Sequence, residues 1–425
     1  MTYYIIFAFI FGYLLISLED VIKINKTAVA LYTGIISWII YAVYTGESDE
    51  FNTELTLQLG GISEILFFLM GAMTIIELID IHRGFDVITN RIKTTSKSKL
   101  MWLTALLAFF LSALLDNLTT SIVMISLLRK LINDKEDIKL YAGVLIIAAN
   151  AGGAWSPIGD ITTTMLWIGG QVSANNIITT LFIPSLLCLL VPMFVLTFNM
   201  KGDLKRVEKN QEKALKKEKV KGSWRMLIGG LSALAFVPVF KTITHLPPYM
   251  GMLLGLSMVW ILSELIHFRK DEESKKPFSA VYALSKIDTS SVLFFLGILL
   301  AVGALENAHV LEKLALWMND TIGNLDAIVF CMGLFSSIID NVPLVAATMG
   351  MYPLADFPMD NQIWEFTAYC AGTGGSILII GSAAGVAVMG MTKISFFWYL
   401  KKISWLALLG YLAGAAYFVI INNWF

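Results

Sequence analysis

Two aspartate–asparagine pairs lie inside long apolar runs, Asp116-Asn117 within 101–131 and Asp340-Asn341 within 324–350. An ionisable side chain surrounded by hydrocarbon is costly, so a carboxylate kept there is a functional candidate by default. Each pair also has the chemistry of a helix start, since Asp and Asn cap N-termini and Pro343 suits a first turn. As caps alone the aspartates would make sense, because the helix dipole favours a carboxylate at that end. Ser or Asn would cap without bringing charge into the apolar run. Capping therefore leaves the charge unexplained.

Two Gly-rich stretches stand beyond the pairs, 150–160 (NAGGAWSPIGD) and 371–376 (AGTGGS). Glycine and proline at membrane depth leave backbone carbonyls unpaired unless they line a cavity or bind something. A hard cation such as Na⁺ takes oxygen ligands, which carbonyls, carboxylates and Ser, Thr and Asn side chains supply. Asp160 follows the first stretch with Thr162, Thr163 and Thr164, and is readable as a cap or as a ligand. Asn117, Asn150, Ser336, Ser337, Asn341 and Ser376 add further oxygens that serve either role. Glu64, Glu77, Asp80 and Glu306 fall toward run ends, where a charged group snorkels to the interface, and Glu77 lies deepest. His82 and His309 flank the repeats and read as interfacial residues.

The elements that must position these groups follow from composition. Of the 425 residues, 57% are apolar and 15% charged, with mean hydropathy +0.72. A soluble domain carries roughly 25% charged residues, so the chain reads as an all-α polytopic membrane protein. Full spans are expected at 3–18, 27–44, 60–80, 139–168, 176–199, 223–244, 248–267, 288–306, 363–391 and 404–421. The first is a retained span rather than a signal peptide, because no basic segment precedes it and no cleavage site follows. The runs 101–131 and 324–350 would each measure roughly 42 Å as one helix, against roughly 30 Å of hydrocarbon. Broken at their centres, they are expected to be re-entrant hairpins. With both re-entrant, 29 of the 31 Lys and Arg residues fall on one side, leaving only Lys241 and Lys313 opposite. The positive-inside rule makes that side cytoplasmic and puts both termini, the acidic loop 45–59 and the loop 351–362 outside. Cys188, Cys331 and Cys370 sit in apolar runs, which argues against disulfides or thiolate metal sites. A net charge of −1 with no basic domain gives no sign of nucleic acid as a partner.

The polar linker 201–222 divides a first half, 1–200, from a second, 223–425. It reads as a solvated cytoplasmic segment that also fixes topology. The halves resemble each other: Leu66-Phe-Phe-Leu69 recurs at Leu293 to Leu296, Asp116-Asn117 at Asp340-Asn341, and Gly152-Gly153 at Gly374-Gly375. Repeat cores run over about 60–200 and 288–403. An odd number of crossings between equivalent spans makes the second repeat inverted, an arrangement typical of secondary transporters.

At Leu115 to Thr120, Ala149 to Thr163, Ser336 to Pro343 and Gly372 to Ser376 the chain resembles NhaD-type sodium/proton antiporters of the ion transporter superfamily. The resemblance covers nearly the whole chain. It implies efflux of Na⁺, with Li⁺ as a second substrate, driven by inward H⁺ and with no cofactor. It also implies a scaffold with a moving transport domain, a homodimer, and a place in the bacterial inner membrane. The matching functional positions are Asp116, Asn117, Asn150, Asp160, Thr162, Thr163, Ser336, Asp340, Asn341 and Ser376. Na⁺ and H⁺ are expected to compete for one site that includes Asp116, Asp160 and Asp340. Relatives in that superfamily carry dicarboxylates, citrate or arsenite, and fold alone does not choose among cargoes. Carboxylates at both hairpin tips repel an anion and suit a cation, and a proton-coupled carrier of a neutral solute is the main alternative. No His-Glu metal motif, Gly-x-Ser-x-Gly or Cys–His pairing suggests an enzyme.

Overall fold

The computed structural model describes all residues except 18, 47–48, 90–91, 93, 201, 205–219, 270 and 425, so most of the polar linker lies outside the described residues. The first half holds α1 (Thr2–Ser17), α2 (Lys26–Thr45) and α3 (Asp49–Ile81). There follow α4 (Lys97–Leu115) and α5 (Asn117–Leu131), which meet at Asp116, then α6 (Lys135–Ala154), α7 (Ile161–Ile168) and α8 (Ala174–Asn199). The second half holds α9 (Ser223–Thr244), α10 (Pro248–His267), α11 (Thr289–Asn307) and α12 (Val310–Ile322). It continues with α13 (Leu325–Phe335) and α14 (Asn341–Met351) on either side of Asp340, then α15 (Gln362–Gly374), α16 (Ala383–Thr392) and α17 (Trp405–Trp424). No strand occurs among the described residues.

Among the described residues, eight helices are long and apolar enough to cross a bilayer. In α9 and α10 only 28% of the apolar window is buried, and Phe236, Met258 and Leu265 stand exposed along them. A face of that kind is suited to lipid or to an apolar partner rather than to water. The chain is a multi-pass membrane protein. Helix starts follow local chemistry: the Asn25 side chain accepts from Thr27 N–H at 2.8 Å, and Asp134 accepts from Glu136 and Asp137 N–H at 2.9 and 3.0 Å.

The helices pack as two groups. In one, α2 packs on α1 and α11, while α3 packs on α9, α10 and α11. In the other, α6 packs on α4, α5 and α8, and α17 packs on α8 and α15, with α13 against α15. Several packings knit the halves together in the second group: besides α17 on α8, α5 lies on α16, α15 on α6, and α14 on α7. The groups meet where α11 touches α14 and α3 touches α7.

One expectation needs correction, and two helices add to what was expected. The acidic stretch 45–59 is not a loop, because α3 begins at Asp49. Phe51 packs 6.0 Å from both Trp38 and Tyr41, and Tyr41 donates to Glu54 at 3.1 Å, so the stretch docks on α2 as helix. The segment around Lys313 is also helical, as α12, whose buried Leu311 and Ala315 are one turn apart. Finally, α4 has 19 residues, about 28 Å of helix, so the first arm at Asp116 is as long as a full span.

Candidate ion-binding site

Four helix breaks converge. Asp116 has φ 78° and ψ 158°, a region that glycine alone adopts freely, and it both ends α4 and caps α5. Its carboxylate accepts from Thr119 N–H and Thr119 Oγ1–H, each at 2.8 Å. Asp340 caps α14 without positive φ, accepting from Val342 N–H at 3.3 Å, while its own N–H donates to the Tyr13 hydroxyl at 3.1 Å. Both tip aspartates are thus turned onto their own helices.

The asparagines beside them face inward. Asn117 Nδ2 donates to Asp160 Oδ2 at 2.6 Å and to Asn150 Oδ1 at 3.1 Å. Asn341 Nδ2 donates to Asp160 Oδ1 at 3.5 Å. Thr162 adds its N–H and its hydroxyl to the same oxygen, at 2.9 and 2.8 Å. Asn150 Nδ2 donates onward to Ser376 and Ser382 Oγ at 2.9 and 3.0 Å. Asp160 is therefore the hub, joined to both breaks and both tips.

Of the residues expected at the site, Asn117, Asn150, Asp160, Thr162, Asn341 and Ser376 form this network. Thr163 donates to the Asp160 carbonyl rather than to the carboxylate. Ser336 does structural work instead, donating to the Ala371 carbonyl at 2.8 Å. Ser112, which stands 224 residues earlier, donates to the Ala149 carbonyl at 2.6 Å. Each bond fastens a hairpin arm to a broken helix. Gly152 and Gly374 permit the approach: a Cβ at either would strike backbone, of Phe109 and of Gly333 respectively.

The network is asymmetric. The repeat offset of 222 that relates Gly152 to Gly374 maps Asp160 onto Ser382 and Asn150 onto Gly372. The charge belongs to the first half alone. Ser382 is a site residue that reading the motifs missed, although that offset applied to Asp160 would have found it. Outside the network, Glu365 is a further buried carboxylate, only 1% exposed and accepting from Asn176 Nδ2 at 2.6 Å.

Asp160 is 2% exposed and, among the described residues, makes no ion pair. Hydrogen bonds and the N-terminus of α7 stabilise the carboxylate in part. A buried carboxylate without a cation partner is otherwise driven to take a proton or a cation. Beside it lies a cavity of about 50 Å³ lined by Asp116, Asn117 and Asp160 and walled by Phe68, Leu69 and Phe295. It has room for one small ion or water. Asp340 does not line it. Among the described residues no three carboxylate, imidazole or thiol groups gather closely enough to hold a metal ion. The oxygens on offer are those of one or two carboxylates plus amides and hydroxyls, a set suited to a weakly held monovalent cation. Thr120 and Ser121, further along α5, carry buried hydroxyls that have no partner among the described residues and do not line the cavity.

The groups nearer the run ends fall elsewhere. Glu64 and Glu306 line a wider cavity of about 320 Å³ between α3, α7, α11 and α14. His82 is fully buried within the protein, 3.1 Å from His267 between ring nitrogens. His309 is exposed and 3.3 Å from Glu312.

A family model described as "Citrate transporter" matches residues 13–369. The chain is 47% identical over 413 residues to "Sodium/proton antiporter 1" of Arabidopsis thaliana, covering 97% of this chain and 71% of that protein. It is 44% identical to "Sodium/proton antiporter 2" of the same plant, covering 97% and 98%. To the "Na(+)/H(+) antiporter NhaD" of Alkalimonas amylolytica it is 32% identical over 449 residues, covering 97% and 89%.

Proposed function

This chain belongs to the citrate transporter family and, within it, to the NhaD-type sodium/proton antiporters, and on that premise we propose that it exchanges Na⁺ for H⁺ at Asp160. The observation that carries the reading is a buried carboxylate with no ion-pair partner that accepts from the tip asparagines of both halves. Sodium and protons compete for it. Asp116, across the small cavity, contributes a second negative charge, and Asp340 sets the field of the opposite tip. Asn117, Asn150, Asn341, Ser376 and Thr162 position the carboxylate and offer oxygen atoms to the ion, while Thr163 and Ser336 hold the backbone around it. Li⁺ is small and hard enough to use the same oxygens.

Protonation expels the cation, and opposing fluxes couple as long as the ionised, ion-free site moves poorly. The group containing α4 to α8 and α13 to α17 is the moving body, and the group around α2, α3 and α9 to α11 is the frame. The two arms at Asp116 and at Asp340 act as inverted re-entrant hairpins within halves 1–200 and 223–425. The count of Lys and Arg supports basic loops in the cytoplasm and both termini outside. The bacterial inner membrane is the proposed location, and a homodimer of frames the proposed assembly.

The family description favours a second reading, carriage of citrate or another small carboxylate anion. Two carboxylates against the small cavity oppose it, since an anion would meet like charge there. A pH-dye assay in inverted vesicles separates the two, adding Na⁺, Li⁺, K⁺, citrate and arsenite in turn. Proton movement on adding Na⁺ supports the antiporter. A response to citrate or arsenite with none to Na⁺ overturns it.

A further inference from the structure

Lys241 is one of two Lys or Arg residues outside the basic loops and lies in the last turn of α9. Its ammonium donates to the Trp167 carbonyl at 2.9 Å and stands 4.9 Å from the centre of the same residue's indole ring. Trp167 is buried in the last turn of α7, so the lysine satisfies a carbonyl at the negative end of a helix. The indole also meets Phe68 of α3 edge-on at 6.3 Å. Asp160 caps the other end of this eight-residue helix. One short rigid rod thus runs from the carboxylate hub to the lysine clamp.

The clamp crosses between the two helix groups. α9 packs with α3 and α10, whereas α7 packs with α14 and α15. A lysine three residues from the end of a span would ordinarily extend to interfacial water, yet this ammonium turns inward and is half-buried. Its hydrogen bond and its ring contact both fall on Trp167 of the opposite group, while the Glu64 carboxylate of α3 attracts it from its own group.

The geometry points to Lys241 as a latch, a positioning residue that holds α7, and Asp160 with it, against the α3–α9–α10 frame and releases when the groups move. The movement rests on the proposed transport cycle, while the latch can be read without transport. A charge-assisted hydrogen bond together with a cation–π contact is enough to shift a two-state population by about tenfold. Arg would keep both contacts, and Met would keep only the bulk.

The test places a cysteine at Met349, which lines the 320 Å³ cavity between the groups, in a chain with Cys188, Cys331 and Cys370 changed to Ala. N-ethylmaleimide labelling per molecule is followed in membranes for Lys241, Lys241→Arg and Lys241→Met, beside KM and Vmax for Na⁺. Lys241→Met is expected to change the labelling rate by about tenfold and to move KM, with Lys241→Arg close to the parent. Labelling by Lys241→Met within about twofold of the parent overturns the latch, and so does a loss confined to protein level. A labelling shift in vesicles that show no Na⁺ exchange would leave the latch standing and remove the antiporter reading.

Discussion

The amide nitrogen of Asn117 lies 2.6 Å from Oδ2 of Asp160, joining the tip between α4 and α5 to the cap of a helix 43 residues further on. Asn341 reaches the other oxygen of that carboxylate from the second half. An amide nitrogen cannot ligate a cation. For Asn117 or Asn341 to serve as a ligand, its amide must turn over and present Oδ1.

Asp160→Asn retains a side chain able to cap α7 and removes the charge at the hub. Exchange is expected to fall by about 100-fold or more, the scale of losing one partner from a buried charged network. Dye-monitored exchange normalised to protein in the membrane checks this. Parent-level activity would mean that Asp160 is only a cap.

Asp116 and Asp340 should separate. Asp116 lines the small cavity and Asp340 does not, while both cap helices that Asn would cap as well. Both Asn variants should reach the membrane, with Asp116→Asn losing more exchange than Asp340→Asn. A ranking in the opposite order, in the same vesicle assay, would locate the ion nearer the second tip.

Ser382→Ala leaves Asn150 Nδ2 with Ser376 as its remaining acceptor. One unmet buried donor costs about 1–3 kcal/mol. The expected result is an apparent KM for Na⁺ raised about tenfold, with Vmax less affected, which fits a loss of about 1.4 kcal/mol in binding. Initial rates against Na⁺ concentration decide it, and an unchanged KM would remove Ser382 from the site.

Gly152→Ala and Gly374→Ala should fail by a different route. Each new methyl meets backbone, of Phe109 and of Gly333, that cannot rotate away. A loss of about 3 kcal/mol or more is expected, measured as a lower unfolding midpoint in detergent or as absence from the membrane. A variant as stable as the parent would show that the hairpin arms are not packed this closely.

The breaks at Asp116, Asp340 and both Gly-rich stretches were legible because charge, Gly and Pro are rare in apolar runs and each has one physical use there. The direction of the side chains was not. Asp116 and Asn117 are adjacent, yet one turns back to Thr119 and the other reaches Asp160, a choice made by the strained backbone at Asp116. Ser382 stayed hidden because a lone Ser in an apolar run has many uses, and only the repeat offset singles it out. The helical start of α3 was masked by acidic residues that suggest a loop, while its docking on α2 depends on Phe51. Lys241 carries no sequence signal of its partner, because Trp167 lies 74 residues away.

Competition between Na⁺ and H⁺ for Asp160 is tested most directly by the apparent KM for Na⁺ as a function of pH in reconstituted vesicles. A ligand that must lose a proton to bind the cation gives a KM that rises as pH falls, by up to about tenfold per unit for one carboxylate. The KM levels off at high pH once the group is ionised. That rise in the parent chain, together with its loss in Asp160→Asn, is the expected result. A KM flat across pH, in vesicles where the parent exchanges Na⁺ for H⁺, would contradict a shared site.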